Sequence, residues 1–245
     1  SGRCVDTSSV VTITVLPSVT GNIISRSDSV ICEGSLFKPL GASSVSGGDM
    51  SYKYLWQDST VSGVWNPARG VNSGTVYSVD TAAFSVMENR YLRRVVYSGA
   101  DDVCRNNSSP IHLTRYFKIE NNSISADQTI GHDSIPDPLV GTTPVNGGGA
   151  YQYLWEGSIT ATSWNTADPV SNGQNYSPGS LSDTTWYRRI VLSGSISKVC
   201  KDTSKIVKIN VHDAIITNNI SLVSGAVEDT ICYGSESPYI KGTLP

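Results

Sequence analysis

The sequence predicts an all-β protein made of tandem β-sandwich domains arranged end to end. Blocks of sequence recur about 100 residues apart. Inside each block, short runs of alternating apolar and polar residues follow one another, and no segment carries a helical period. Clusters of Gly, Asn, Ser and Pro separate the runs, as turns between strands require.

The repeat is read directly from the residues. Tyr52-Lys53-Tyr54-Leu55-Trp56 is answered by Tyr151-Gln152-Tyr153-Leu154-Trp155, Trp65-Asn66 by Trp164-Asn165, and Tyr77-Ser78 by Tyr176-Ser177. Arg93-Arg94 returns as Arg188-Arg189, and Cys104 as Cys200. Ile31-Cys32-Glu33-Gly34-Ser35 returns two periods later as Ile231-Cys232-Tyr233-Gly234-Ser235, while the middle copy, Ile130-Gly131-His132-Asp133-Ser134, has lost its cysteine. A period this long is the size of a small domain rather than of a solenoid unit. The frame is therefore the last strand of a preceding repeat (1–20), two whole repeats (21–119 and 120–213) and the start of a following one (214–245). Opening on Ser1 inside an apparent strand, without an initiator Met or a signal peptide, the sequence reads as a piece of something longer.

The closing strand of each block is the clearest. Val11, Ile13 and Val15 alternate with Thr12 and Thr14, and Val207, Ile209 and Val211 with Lys208 and Asn210. In the middle, Ile111, Leu113, Phe117 and Ile119 are expected on one side, with His112, Thr114, Tyr116 and Lys118 on the other. Such alternation buries one face and wets the other, as antiparallel sheets allow. Seven or so strands per block, with turn signals every 8–12 residues, argue for an immunoglobulin-like sandwich. Trp56 and Trp155 follow the Gly-rich turns Gly47-Gly48 and Gly147-Gly148-Gly149, where the third strand carries a core tryptophan. Tyr187, four residues after Asp183, has the spacing of a tyrosine corner and is expected in the core; Glu88 and Leu92 break that pattern in the first copy.

Composition bounds the chemistry. Of 245 residues only 16% are charged and 38% are apolar, with a net charge of −3. That is enough apolar material for ordinary cores, and it leaves no basic footprint for nucleic acid or an anionic membrane. No apolar run approaches the ~18 residues of a membrane helix.

No catalytic constellation is legible. Carboxylates are scattered, and no pair recurs in both copies as an enzymatic repeat would require. His112 is expected on the wet face of its strand, His132-Asp133 as a local hydrogen-bonded pair, and His212-Asp213 at a junction. Asp101-Asp102 lies in a hairpin loop with too few oxygen ligands for calcium. No catalytic, metal or cofactor-binding residue is assigned, no cofactor is expected, and the segment is read as non-enzymatic. In each Arg-Arg pair neighbouring side chains face opposite ways, so one guanidinium must turn towards the apolar side, there to snorkel or to meet a carboxylate.

At the Ile-Cys-x-Gly-Ser opening, the Gly-Gly turn into Tyr-x-Tyr-Leu-Trp, the second Trp, and Thr184-Thr185-Trp186-Tyr187-Arg188-Arg189-Ile190-Val191-Leu192-Ser193-Gly194, the sequence resembles the Ig-like and PKD-like repeats of giant Bacteroidota surface proteins. Gly131 in place of cysteine and Leu92 in place of tyrosine depart from the pattern. Such repeats abound in SprB-type gliding-motility adhesins exported by the type 9 secretion system. The resemblance implies a structural repeat segment of a large cell-surface adhesin filament serving adhesion and gliding motility. Its partners would be neighbouring repeats and the secretion and gliding machinery, with surface polysaccharide or a substratum ligand engaged through other regions and no membrane insertion here. The same repeats accompany secreted enzymes, so the alternative is an accessory, carbohydrate-binding region of a multidomain hydrolase. Asp-Ser and Asp-Thr steps resemble the O-glycosylation motif of the same bacteria and mark Ser29, Ser59, Thr81, Ser134, Thr184 and Thr230.

In an exported repeat the five cysteines read as disulfides rather than as a zinc or redox site. Cys32 with Cys104 inside one domain is preferred, because an independent sandwich staples itself. Cys4 with Cys32 and Cys200 with Cys232 across junctions is the second scheme, and reduced buried cysteines the third. Either disulfide scheme strands one interior thiol.

Overall fold

The computed structural model describes residues 2–26, 29–60, 63–81, 89–169, 172–194 and 199–243; Asp28 and Glu88, invoked above, lie outside them. The first repeat forms β1 (Ile24–Ser25), β2 (Val30–Cys32), β3 (Gly41–Ala42), β4 (Tyr52–Ser59), β5 (Asn66–Pro67), β6 (Asn89–Ser98), β7 (Cys104–Asn107) and β8 (Ile111–Tyr116). A six-stranded sheet runs β2-β8-β6-β4-β5, with β7 also on β6. Opposite it lie the β1–β3 pair and the Leu40–Tyr77 bridge. β2 runs parallel to β8, while the other pairs in the sheet are antiparallel. Trp56, Leu92 and Leu113 from the large sheet meet Leu40, Tyr77 and Val79 from the other side in one core.

The second repeat uses β9 (Ile119–Glu120), β10 (Gln128–Ile130), β11 (Val145–Asn146), β12 (Gln152–Ser158), β13 (Asn165–Thr166), β14 (Thr185–Ser193), β15 (Cys200–Thr203) and β16 (Val207–Val211). Its large sheet runs β10-β16-β14-β12-β13, with β15 on β14, the order of the first repeat over again. Trp155, Leu139, Tyr176, Tyr187, Val207 and Ile209 make its core. Each tryptophan thus has an interior of its own. The hairpin β17 (Ile220–Leu222) and β18 (Ile240–Gly242) follows.

Two compact units divide the chain, and the division does not follow the repeat boundary. One is Ser1–Glu120 with Pro144–Tyr151 and Leu192–Asp202; the other is Asn121–Thr143, Gln152–Val191 and Thr203–Pro245.

The structure differs from two strand expectations. Residues 2–19 form no strand, and Val11, Ile13 and Val15 stand exposed, because a strand is held by its neighbours and no described strand pairs with them. Hydrogen bonding with the first repeat begins at Pro17, whose carbonyl accepts from Gly48 at 2.8 Å, and the first bridge joins Thr20 to Ser46. In the closing strand of the first repeat, Leu113 is buried, but so is Thr114, while Phe117 is exposed. β8 ends at Tyr116, and Ile119 belongs to a separate strand paired with β11, so the alternation is interrupted between them.

Candidate functional site

Three arrangements could bear function: a core device present in both repeats, an arginine pair split across the sheet, and the cysteines. Trp56 and Trp155 are fully buried and Tyr187 is 4% exposed. Trp56 stacks on Tyr77 at 5.5 Å and Trp155 on Tyr176 at 5.4 Å, between ring centroids. Each indole N–H donates to a glycine carbonyl, Gly74 at 2.9 Å or Gly173 at 3.1 Å, so the apolar ring is buried with its polar edge satisfied. Tyr187 packs in a tilted contact with Tyr176, ring centroids 5.4 Å apart, and the Tyr176 hydroxyl donates to the Asp168 carbonyl at 2.9 Å. The Tyr187 ring therefore meets a side chain from across the sandwich. Burial raises the phenol pKa of Tyr77, Tyr176 and Tyr187.

The arginine pairs divide as the strand period demands. Arg93 and Arg188 face outward over Trp65 and Trp164, each with the guanidinium carbon 4.2 Å from the ring centroid. Arg188 pairs with Glu156 at 2.6 Å; Arg93 donates instead to the Gln57 side chain at 2.8 Å. Arg94 and Arg189 face inward and are 1% and 0% exposed. The groups described around each inner guanidinium are amide and carbonyl oxygens. Arg94 Nε donates to the Asn22 side-chain oxygen at 2.8 Å, and Nη2 to the Ser43 carbonyl at 2.9 Å. Arg189 repeats this with Asn122 at 2.9 Å, the Thr142 carbonyl at 2.9 Å and the Gln174 carbonyl at 2.8 Å. The rings of Tyr54 and Tyr153 lie beneath. Burial lowers the Arg94 pKa, and carbonyl dipoles aimed at the fork help to keep a charged guanidinium tolerable there. The sequence held a signal for this device, since Asn22 and Asn122 recur one period apart at the opening of each repeat.

The cysteines correct the preferred pairing. Cys32 bonds Cys200, 168 residues on, with Cα atoms 5.1 Å apart. Cys4, Cys104 and Cys232 carry free thiols. Strand register explains why Cys104 does not bond Cys32. Cys32 is level with Tyr116 on β8, two residues past Thr114, which is the partner of Asn89 on β6. Cys104 is level with Ser98, nine residues further along β6. Eleven residues of register in all, at roughly 3.3 Å each, set the two about 35 Å apart, whereas a disulfide needs Cα atoms within about 7 Å. The cross-junction scheme fails as well, since Cys4 and Cys232 are exposed and unbonded. Cys200 is brought to Cys32 inside the first compact unit, beside the Phe117 carbonyl that both sulfurs approach, at 3.5 and 3.4 Å.

The remaining sequence-marked residues scatter. Ser59 and Thr81 are buried, 3% and 6% exposed, so the folded chain offers neither to a glycan. Ser29, Ser134 and Thr184 are half-buried, and Thr230 is exposed. His132 lies 3.0 Å from the Asp133 carboxylate, and Asp102 from the Lys53 ammonium. His112 is exposed and packs against Tyr91. Among the described residues no group of three His, Cys, Asp or Glu is placed to hold a metal ion. An open cleft of about 400 Å³ lies beside Trp186, Asp183 and Asp213, and Lys208 lies over the Trp186 ring.

With this geometry in hand the chain was compared with known proteins. Residues 120–213 match a domain of unknown function, DUF8696. No curated protein matches. Among solved structures the chain is similar to extracellular domains 3–5 of Drosophila OTK, at 8% identity and a TM-score of 0.47, covering 75% of this chain and 58% of that one. It thus spans less than two thirds of that structure. Titin domains A168–A170 are similar at 14% identity and a TM-score of 0.44, covering 79% and 68% of the two chains. The chicken CNTN1 domains FN1–FN3 follow at 13% identity and a TM-score of 0.29, covering 85% and 72%. The fold is all-β, with two β-sandwich domains, each around its own tryptophan core.

Proposed function

We propose that this chain is a structural repeat segment of a large, exported cell-surface adhesin, a non-catalytic spacer that carries load for surface adhesion and gliding. Tandem immunoglobulin-like domains are ordinary building material of extracellular adhesion and structural proteins. The single observation behind the reading is the Cys32–Cys200 bond between consecutive repeats, each of which already owns a tryptophan core. A bond placed there adds nothing to either core; it ties one repeat to the next. Disulfides persist outside the reducing cytosol, which agrees with export and surface display. The polar Ser, Thr and Asn surface keeps like domains from associating, and its low charge marks no nucleic-acid or membrane partner. Neighbouring repeats are the immediate partners, and the adhesive ligand is met through other regions.

The test is made in the native host. Antibody against this segment should label intact cells, and in-frame deletion of residues 20–213 should leave the parent protein exported while shortening its reach and weakening attachment. Strong binding of the isolated chain on a glycan array, with attachment unchanged by the deletion, would instead favour an accessory sugar-binding region.

A further inference from the structure

We propose that Cys104 is the receiving half of the same cross-link, and that it bonds a cysteine ending the opening strand of a repeat placed ahead of it. The rule is staggered: the opening cysteine of one repeat bonds the closing cysteine of the next. This follows from repeat geometry alone and holds whether or not the chain is a surface adhesin.

Two independent observations carry it. First, Cys200 stands at the position equivalent to Cys104 and is bonded in this way. Its surroundings recur around Cys104 residue by residue. Both cysteines open a short strand laid on the long one, β15 on β14 and β7 on β6. Gly194 and Gly99, both at positive φ, turn the chain before them, and a Cβ on either glycine would lie 2.9 Å from a valine, Val199 or Val103. Gly147 lies against Ile119 and Ser193, and Gly48 against Val19 and Ser98. Glu120 pairs with Val145 as Thr20 pairs with Ser46. Residues 16–20 therefore sit on the first repeat as residues 116–120 sit on the second. Among the described residues no strand stands beside Cys104 as β2, the strand that delivers Cys32, stands beside Cys200.

Second, β-register puts the opening and closing cysteines of one sandwich about 35 Å apart, at opposite ends of the sheet. Cys104 therefore cannot be served from within its own repeat. Its partly exposed free thiol awaits a partner from the repeat ahead. The same rule accounts for Gly131. The position it occupies would serve the closing cysteine of the repeat after its own, so its loss costs Cys200 nothing.

Chemically, the two thiols lose two electrons and two protons to an oxidant of the thiol–disulfide exchange class, forming one S–S bond. The test extends the full chain by a second copy of residues 20–119 inserted directly after residue 119. The leading copy carries Cys104→Ser and the following copy Cys32→Ser. After oxidation and alkylation, non-reducing peptide mapping should recover Cys32 linked to Cys104, with Cys200 alkylated. Recovery of Cys104 alkylated would overturn the proposal. With the two substitutions exchanged between copies, Cys32 should be found linked to Cys200 and Cys104 alkylated; a Cys32–Cys104 peptide there would mean the reverse pairing, the following copy's Cys32 with the leading copy's Cys104, and would overturn it equally. Should the extended chain fail to fold, Gly131→Cys in the original chain decides. The backbone there is unstrained, and the new Cβ would meet only Ser134 Oγ at 3.4 Å. The introduced thiol should take the alkylating reagent while Cys32–Cys200 persists, and its capture by Cys200 would refute the staggered rule.

Discussion

Gly141 lies directly against the buried guanidinium of Arg189, leaving no room for a methyl group between them. The equivalent position in the first repeat is Ala42, next to Ser43, whose carbonyl holds Arg94. There the guanidinium is displaced, and its Nη1 contact to the Thr75 carbonyl is 3.4 Å, against 2.8 Å from Arg189 to Gln174. Gly141→Ala should push Arg189 into the looser arrangement of the first repeat and cost about 1–3 kcal/mol. Asn122→Ala, which strips the acceptor from Arg189 Nε, should cost a similar ~1–3 kcal/mol. Chemical denaturation of the two variants checks both, and neutrality of Asn122→Ala would remove the guanidinium network from the list of stabilising features.

Trp155→Ala should destabilise the second repeat by about 3–5 kcal/mol, through the cavity and the lost stack on Tyr176. The first repeat has its own core around Trp56, so its unfolding midpoint should stay in place. Two resolved transitions by fluorescence or calorimetry are expected, with only one moved.

Glu156→Gln should be nearly silent, within about 1 kcal/mol. Arg188 and Glu156 are partly exposed, and the first repeat already uses Gln57 at that place. Arg188→Ala should cost more than Glu156→Gln, since it also uncovers the Trp164 ring. Equal effects in thermal melts would show that stacking contributes nothing.

Alkaline pH should unfold the protein through its buried phenols. Tyr77, Tyr176 and Tyr187 hold their protons above the usual value of 10 because burial disfavours the phenolate. In the unfolded chain they ionise near 10, so below that pH their contribution is constant. As pH climbs past 10 the unfolded state sheds protons that the folded state keeps, and stability falls by up to about 1.4 kcal/mol per pH unit per phenol. Tyr176→Phe should flatten that slope, read from denaturation midpoints between pH 9 and 11.

Pulled from its two ends, the oxidised chain should extend little between Cys32 and Cys200, because force crosses the disulfide and bypasses the residues between. Reduction should free the 168-residue separation, roughly 550–600 Å of contour at 3.3–3.6 Å per residue. Force spectroscopy with and without reductant measures it, and identical contour lengths would contradict the cross-link.

The repeat itself, the strand-rich character and the two tryptophan cores were legible without coordinates. Each rests on spacing within a strand or across one period, and a tryptophan at a matched strand position has one good place to go. Tyr187 was readable as buried for the same reason, though its ring partner, Tyr176, lies across the sandwich. The inward turn of one arginine in each pair followed from the two-residue period. Its partners did not, because Asn22 and Asn122 stand 72 and 67 residues from the arginines they hold.

The cysteines mark where local information ends. From the sequence alone, Cys32 and Cys104 look like the two halves of a domain staple, being near the start and end of one repeat. Which cysteines can meet depends on which end of the sheet each occupies, and that is fixed by the parallel pairing of β2 with β8 and by the hairpin that carries β7 back along β6. Composition and periodicity therefore determined the kind of domain and how many times it recurs. Only the pairing of strands, which converts distance along the chain into distance in space, decided that Cys32 bonds Cys200.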